Sequence, residues 1–228
     1  MSDPAAMIVF DMDGVLVDVS DSYRETICQT VQHFTGRPIT RELVQGYKNR
    51  GGLNNDWLLS QTICRELGFE VDYRTVAAYF DSLFYGGLMQ RERWIARDGL
   101  LQRLASEYNL AIFTGRPREE ALLTLRRFEC ESLFAPLIGD EDVTRGKPDP
   151  EGLLQLRSQF PSTKLLYIGD TVDDARSASS AQVPFVGIAH AGVHERGKLL
   201  DLFKQENAVA VIEDINQLME VLPAYEKR

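Results

Sequence analysis

Apolar residues in this chain fall into short dense runs and longer helical stripes, and the two alternate through most of its length. Met7, Ile8, Val9 and Phe10 make the first run, which stops abruptly at Asp11, Met12, Asp13 and Gly14. A run this short and sharply bounded predicts a strand buried on both faces, followed by a polar turn. Similar runs recur at residues 110–113, 135–138, 165–168, 185–188 and 208–212. Helical spacing separates them, as in Leu100, Leu101 and Leu104 or Leu153, Leu154 and Leu156. Strands alternating with helices predict an α/β core, a doubly wound (Rossmann-like) parallel sheet with helices on both faces.

One connection breaks the rhythm. Residues 18–93 read almost wholly as helix, with stripes at Tyr23, Ile27, Val31 and Phe34, and at Trp57, Leu58, Ile63 and Leu67. Val76, Tyr79, Phe80 and Leu83 continue the pattern, and Phe80 and Phe84 read as core. A crossover between parallel strands needs only about a dozen residues, so this stretch is expected to be an inserted all-helical cap domain. The α/β core then comprises residues 1–17 and 94–228.

Composition narrows the function classes. With 44% hydrophobic and 26% charged residues in 228, the chain is globular and large enough to bury a core without staples. Its 25 Lys and Arg against 34 Asp and Glu give a net charge of -9, which argues against a nucleic-acid partner. Cys28, Cys64 and Cys130 are odd in number and widely spaced, so free thiols are expected rather than disulfides or zinc. His33, His190 and His194 show no metal spacing either. No apolar run reaches the roughly 20 residues that cross a bilayer, and residues 1–4 do not start a signal peptide. A soluble, cytoplasmic protein without a membrane partner is expected, and the sequence leaves its oligomeric state open.

The reactive residues gather where strands end. Asp11 and Asp13 follow the first strand, Thr114, Gly115 and Arg116 the second, and Gly169 and Asp170 the run 165–168. Lys147 lies in the loop after the run near Leu137. Open α/β sheets bind ligands outside the carboxyl ends of their strands. Clustered carboxylates repel unless a cation neutralises them, and a hard divalent ion with oxygen ligands does so. Asp11 and Asp170 are the expected first pair, supported by Asp174 or Asp173. Thr114 heads a turn into a helix, with Pro117 suited to the first helical position. Amides at that helix start would then receive phosphate, with the hydroxyl as a further donor.

The run Asp11, Met12, Asp13, Gly14, Val15 resembles the first motif of the haloacid dehalogenase-like superfamily. Thr114 resembles its second motif, Lys147 in Gly-Lys-Pro its third, and Gly169 through Asp174 its fourth, in the family's order. The resemblance covers the core from residue 7 to about 190. Its helical insertion is similar to that of the subgroup containing phosphoglycolate phosphatases and β-phosphoglucomutase. It implies a phosphatase that uses Mg2+ and acts on a small phosphorylated metabolite. Asp11 would be the nucleophile, forming an aspartyl-phosphate, and Asp13 the acid and base. Thr114 and Lys147 would neutralise charge, and Asp11, Asp13, Asp170 and Asp174 would make the metal set. The family's dehalogenases lack the second aspartate, which disfavours that chemistry here.

Several readings stay open. A sugar-phosphate mutase keeps both aspartates, and a silent binding protein can share the fold. A receiver-type signalling domain shares the acidic pocket but needs no such insertion. Where many capped relatives carry Asn after the second-motif hydroxyl residue, this chain has Gly115 and Arg116. Arg116 then either contacts phosphate or a substrate carboxylate, or pairs with an acidic neighbour on the first helical turn. In the insertion, residues 47–57 carry Lys48, Arg50, Asn54 and Asn55 around two glycines. They are candidates for binding a polar, anionic substrate. The blander expectations are a solvated Lys48 and a helix-capping Asn55 or Asn54.

Overall fold

The structure is a computed structural model and describes residues 6–226. The chain divides into two compact units, Met1–Val17 with Trp94–Arg228, and Asp18–Arg93. In chain order the strands are β1 (Ala6–Phe10), β2 (Val17–Asp18), β3 (Arg93–Trp94), β4 (Asn109–Phe113), β5 (Phe134–Ile138), β6 (Lys164–Gly169), β7 (Phe185–Ile188) and β8 (Ala210–Ile212). The helices are α1 (Tyr23–Thr35), α2 (Arg41–Arg50), α3 (Asp56–Glu66), α4 (Tyr73–Tyr85), α5 (Leu100–Ala105), α6 (Arg118–Arg127), α7 (Glu151–Gln159), α8 (Val172–Ala181), α9 (Arg196–Gln205) and α10 (Leu218–Glu226). β2 and β3 pair with each other where the chain leaves and re-enters the larger unit.

That unit is an α/β core built on a six-stranded sheet in the order β5-β4-β1-β6-β7-β8, with the paired strands parallel. β1 is central because its side chains bear no polarity: Met7, Ile8, Val9 and Phe10 are all buried. The chain winds from β1 through β4 to β5, then returns to β6 on the other side of β1. Such a switch point leaves a crevice at the strands' carboxyl ends. Phe113, Leu153, Tyr167, Phe185 and Phe203 pack with Met7 and Val9 in the core. The last strand is shorter than its apolar run, starting at Ala210 rather than at residue 208.

The smaller unit is helical between its ends. α1 packs on α3 and α4, and the sequence supplies the apolar face for this. Tyr23 lies 4.2 Å from Phe84 between ring centroids, and Trp57 meets Phe80 edge-on at 6.0 Å. Ile27, Val31, Ile63 and Val76 are buried with them. The stripe expected on α3 is off by one residue: Leu58 is exposed and Leu59 takes the buried position. Thr40, Asn55 and Asp72 accept backbone N–H bonds at the starts of α2, α3 and α4. Among the described residues no helix is long and apolar enough to cross a membrane.

Candidate active site

Parallel pairing brings four strand ends into one region of the core. β1 sits between β4 and β6, so Asp11, Thr114 and Asp170 follow three neighbouring strands. Their backbones extend that pairing, with the Asp11 N–H on Ile168 O at 2.9 Å and the Thr114 N–H on Ile138 O at 3.0 Å. After Asp11 the chain turns tightly, and Met12 O accepts from the amides of Val15, Leu16 and Val17. Gly14 sits in this turn at φ 72°, a left-handed conformation that side-chain-bearing residues avoid.

Lys147 joins the strands electrostatically. Its buried Nζ lies 2.9 Å from Asp11 Oδ1 and 2.7 Å from Asp174 Oδ1. Asp174 is held in turn from all sides. Tyr167 Oη donates to Oδ1 at 2.7 Å, while the Thr171 hydroxyl and N–H donate to Oδ2 at 2.6 and 3.0 Å. A carboxylate offers about four acceptor positions, so Asp174 spends its whole capacity on Lys147, Tyr167 and Thr171. Thr171 and Asp174 also form the capping box that starts α8, which fixes Asp174 to the helix.

Asp11, Asp170 and Asp174 each offer an oxygen within 4.8 Å of the others. Burial pushes the Asp11 carboxyl up, Lys147 opposes, and Asp174, Asp13 and Asp170 add repulsion, leaving it at about 8. Burial would lower the Lys147 ammonium, but Asp11 and Asp174 outweigh this and raise it. Burial would raise Asp174, yet Lys147 and the hydrogen bonds from Lys147, Thr171 and Tyr167 hold it low. Burial and then the charge of Asp174 keep the Tyr167 hydroxyl protonated, well above its ordinary range. One ammonium therefore faces more carboxylate charge than it neutralises. The oxygen-only donor set and the excess negative charge fit a hard divalent cation.

The expected residues do not all converge. Asp13 was expected among the metal ligands, but it is not part of the carboxylate cluster; its Oδ1 accepts from Arg116 Nε at 2.7 Å and Nη2 at 2.5 Å. Arg116 thus reaches Asp13, after the neighbouring strand β1, a partner that neither sequence-based alternative named. Of Asp173 and Asp174, it is Asp174 that joins the cluster. Pro117 stands at the cap position before α6, not inside its first turn. Of the amides at that helix start, the Arg118 N–H is taken by both carboxylate oxygens of Glu141 at 3.0 Å. Thr114 is buried and its Oγ1 accepts from the Arg116 N–H at 3.2 Å, with Gly115 forming the turn between them.

In the smaller unit Lys48 is not a solvated lysine: its Nζ lies 2.7 Å from Asp56 and its side chain is 14% exposed. Asn55 caps α3 by accepting from Leu58 N–H at 2.8 Å, and Asn54 precedes it, half-buried. Arg50 lies over the Tyr47 ring, 4.4 Å from its centroid. These residues belong to a unit separate from the carboxylate cluster.

Sequence reasoning missed Tyr167, Thr171, Thr124 and the contact of His190 Nε2 with Gly14 O at 2.7 Å. Thr171 had a legible signal, a hydroxyl residue three positions before Asp174, which is capping-box spacing. Tyr167 had a weaker one, a hydroxyl inside a run predicted to be buried on both faces.

Comparison with known proteins agrees with this geometry. A family model described as haloacid dehalogenase-like hydrolase matches residues 8–188. The chain is 29% identical to a phosphorylated carbohydrates phosphatase of Thermotoga maritima, over 94% of this chain and 99% of the relative. It is also 29% identical to an imidazoleglycerol-phosphate dehydratase of Phytophthora nicotianae, over 98% of this chain, and spans only 54% of that longer protein. A solved structure described as a predicted phosphoglycolate phosphatase of Haemophilus somnus superposes with a TM-score of 0.79 at 20% identity. That superposition covers 95% of this chain and 97% of the other, and shows the shared fold.

Proposed function

The chain belongs to the haloacid dehalogenase-like hydrolase family, and from that premise we propose that it is a phosphoric monoester hydrolase, cleaving a small phosphorylated metabolite through an aspartyl-phosphate on Asp11 with Mg2+ as its metal. The observation that carries this reading is the buried Lys147 between Asp11 and Asp174, at 2.9 and 2.7 Å, beside a third carboxylate. Relatives named as phosphatases, including one from Thermotoga maritima, support the same reaction class.

Asp11 and Asp170 are the carboxylates that would hold the metal, because Asp174 is saturated by its own hydrogen bonds. Magnesium, when bound, supplies positive charge to the oxygens of the transferred phosphoryl group. Lys147 fixes Asp11 through Oδ1, which leaves Oδ2 to attack phosphorus as the ester P–O bond breaks. Asp13 gives its proton to the departing oxygen. In the second step Asp13 takes a proton from water as that water attacks phosphorus, and the Asp11–phosphate bond breaks. Splitting one displacement into two is the logic of covalent catalysis, and positioning with charge neutralisation supplies most of the rest.

The test is phosphate release from a panel of small phosphate esters, with and without Mg2+, by wild type and Asp11→Asn. Metal-dependent release that vanishes in the variant is expected. Release that persists in Asp11→Asn, or none by wild type, rejects the reading.

A further inference from the structure

The guanidinium of Arg116 is buried and hydrogen-bonded through Nε, Nη1 and Nη2. Its side chain is 2% exposed. Nη1 donates to Thr124 Oγ1 at 2.8 Å, and Nε and Nη2 both donate to Asp13 Oδ1. Its backbone is fixed as well, with N–H on Thr114 Oγ1 at 3.2 Å and its carbonyl accepting from Asp140 N–H at 2.9 Å. Asp13, by contrast, is 28% exposed.

The pattern of donors is informative. A fork-to-fork pair would place one N–H on each carboxylate oxygen. Here the Nε–Nη2 edge closes on Oδ1 alone, so Oδ2 is left to other partners. A phosphate is taken bidentately by either the Nε–Nη2 or the Nη1–Nη2 edge, and both already donate, to Asp13 and to Asp13 with Thr124. Proton transfer depends steeply on how the acid is held; Asp13 lies inside the tight turn after β1, where its backbone bridges to Val17 and its carboxylate is held by Arg116.

We propose that Arg116 is a positioning residue for Asp13: it clamps Oδ1, braced by Thr124, so that Oδ2 is the oxygen that exchanges the proton with the leaving group and with water. This rests on the phosphatase reading above and assigns Arg116 no contact with phosphate.

Ester leaving groups separate the possibilities. Nitrophenolate departs without protonation, whereas an alkoxide needs a proton as it leaves. Wild type, Arg116→Gln, Asp13→Asn and the double variant are compared on p-nitrophenyl phosphate, glucose 6-phosphate and glycerol 3-phosphate, with Mg2+. In Arg116→Gln, kcat/KM on the alkyl esters is expected to fall about 10²-fold, and on the aryl ester less than about 10-fold. In the Asp13→Asn background the same change should cost nothing further, as expected when one residue acts through the other. Thr124→Val, which removes the brace and keeps the shape, should move the alkyl-to-aryl ratio in the same direction by less. It carries the test if near-UV circular dichroism shows Arg116→Gln unfolded. A parallel fall on all esters, or an additive loss with Asp13→Asn, overturns the proposal in favour of a phosphate contact or a purely structural role. If wild type releases phosphate from none of the three, the phosphatase reading fails first and this one with it.

Discussion

A Cβ on Gly14 would lie 1.9 Å from Asp170 Oδ2 and 2.5 Å from its Cγ. The loop after the first strand and the acidic residue after β6 are therefore built to touch, and only a glycine allows it. Two demands fall on this position at once, since its φ of 72° also disfavours any side chain.

Gly14→Ala should consequently act on metal binding more than on folding. The left-handed backbone costs about 1–2 kcal/mol for a non-glycine residue. The collision is relieved only if the Asp170 carboxylate rotates away, which removes it from Asp11 and Asp174. The expected outcome is an at least roughly tenfold weaker apparent Mg2+ affinity, by analogy with the cost of disturbing groups that orient metal ligands. Titrating activity against Mg2+ checks this; an unchanged midpoint would reject it.

Tyr167→Phe isolates a single hydroxyl. The ring stays packed between Phe113 and Phe185, while Asp174 loses a 2.7 Å donor and Lys147 an acceptor at 3.2 Å. A hydrogen bond to a charged group contributes about 1.5–3 kcal/mol, so urea unfolding should show a loss of that order. Phosphatase activity should fall through kcat, because the group being repositioned is Lys147. A loss below about 0.5 kcal/mol would mean that Asp174 is held without the tyrosine.

How far the sequence carried is visible in these residues. The strand runs were legible because strands buried on both faces leave uninterrupted apolar segments, and the reactive residues were legible because they follow those runs. Hydrogen-bond partners were not. Arg116 and Asp13 are 103 positions apart, and their meeting depends on β4 lying beside β1, which no local pattern encodes. The same holds for Glu141, which reaches the α6 start from a separate segment and takes one of its amides. Lys48 looked solvated because its neighbours are polar, yet Asp56 across the Gly51–Gly52 turn draws it inward.

Asp170 and Asp174 look alike in sequence but should respond oppositely to loss of charge. Asp174→Asn removes the fully hydrogen-bonded partner of Lys147, and breaking a buried pair costs about 3–5 kcal/mol. Asp170→Asn instead removes a repulsive neighbour of Asp11, so metal-free stability should hold or rise while Mg2+ binding weakens. Thermal melts of both variants, with and without Mg2+, read the difference. Equal destabilisation of the metal-free proteins would contradict the separate roles assigned to them.

The raised Asp11 carboxyl sets the direction of the pH dependence. Its unfolded value is about 3.9 and its folded value about 8, with burial as the first cause. Between these the folded metal-free protein binds more protons than the unfolded chain, so this group's contribution to stability falls as pH rises. Metal ligation needs the carboxylate. Below about pH 8, Mg2+ must therefore displace a proton, and its apparent affinity should increase with pH and level off above that value. The rise in melting temperature on adding Mg2+ should be larger at about pH 8.5 than at about pH 6. Calorimetry at the lower pH should show proton uptake by the buffer, and Asp11→Asn should abolish both effects. A Mg2+ shift of the same size across this range, with no proton released, would place the titrating group elsewhere than on Asp11.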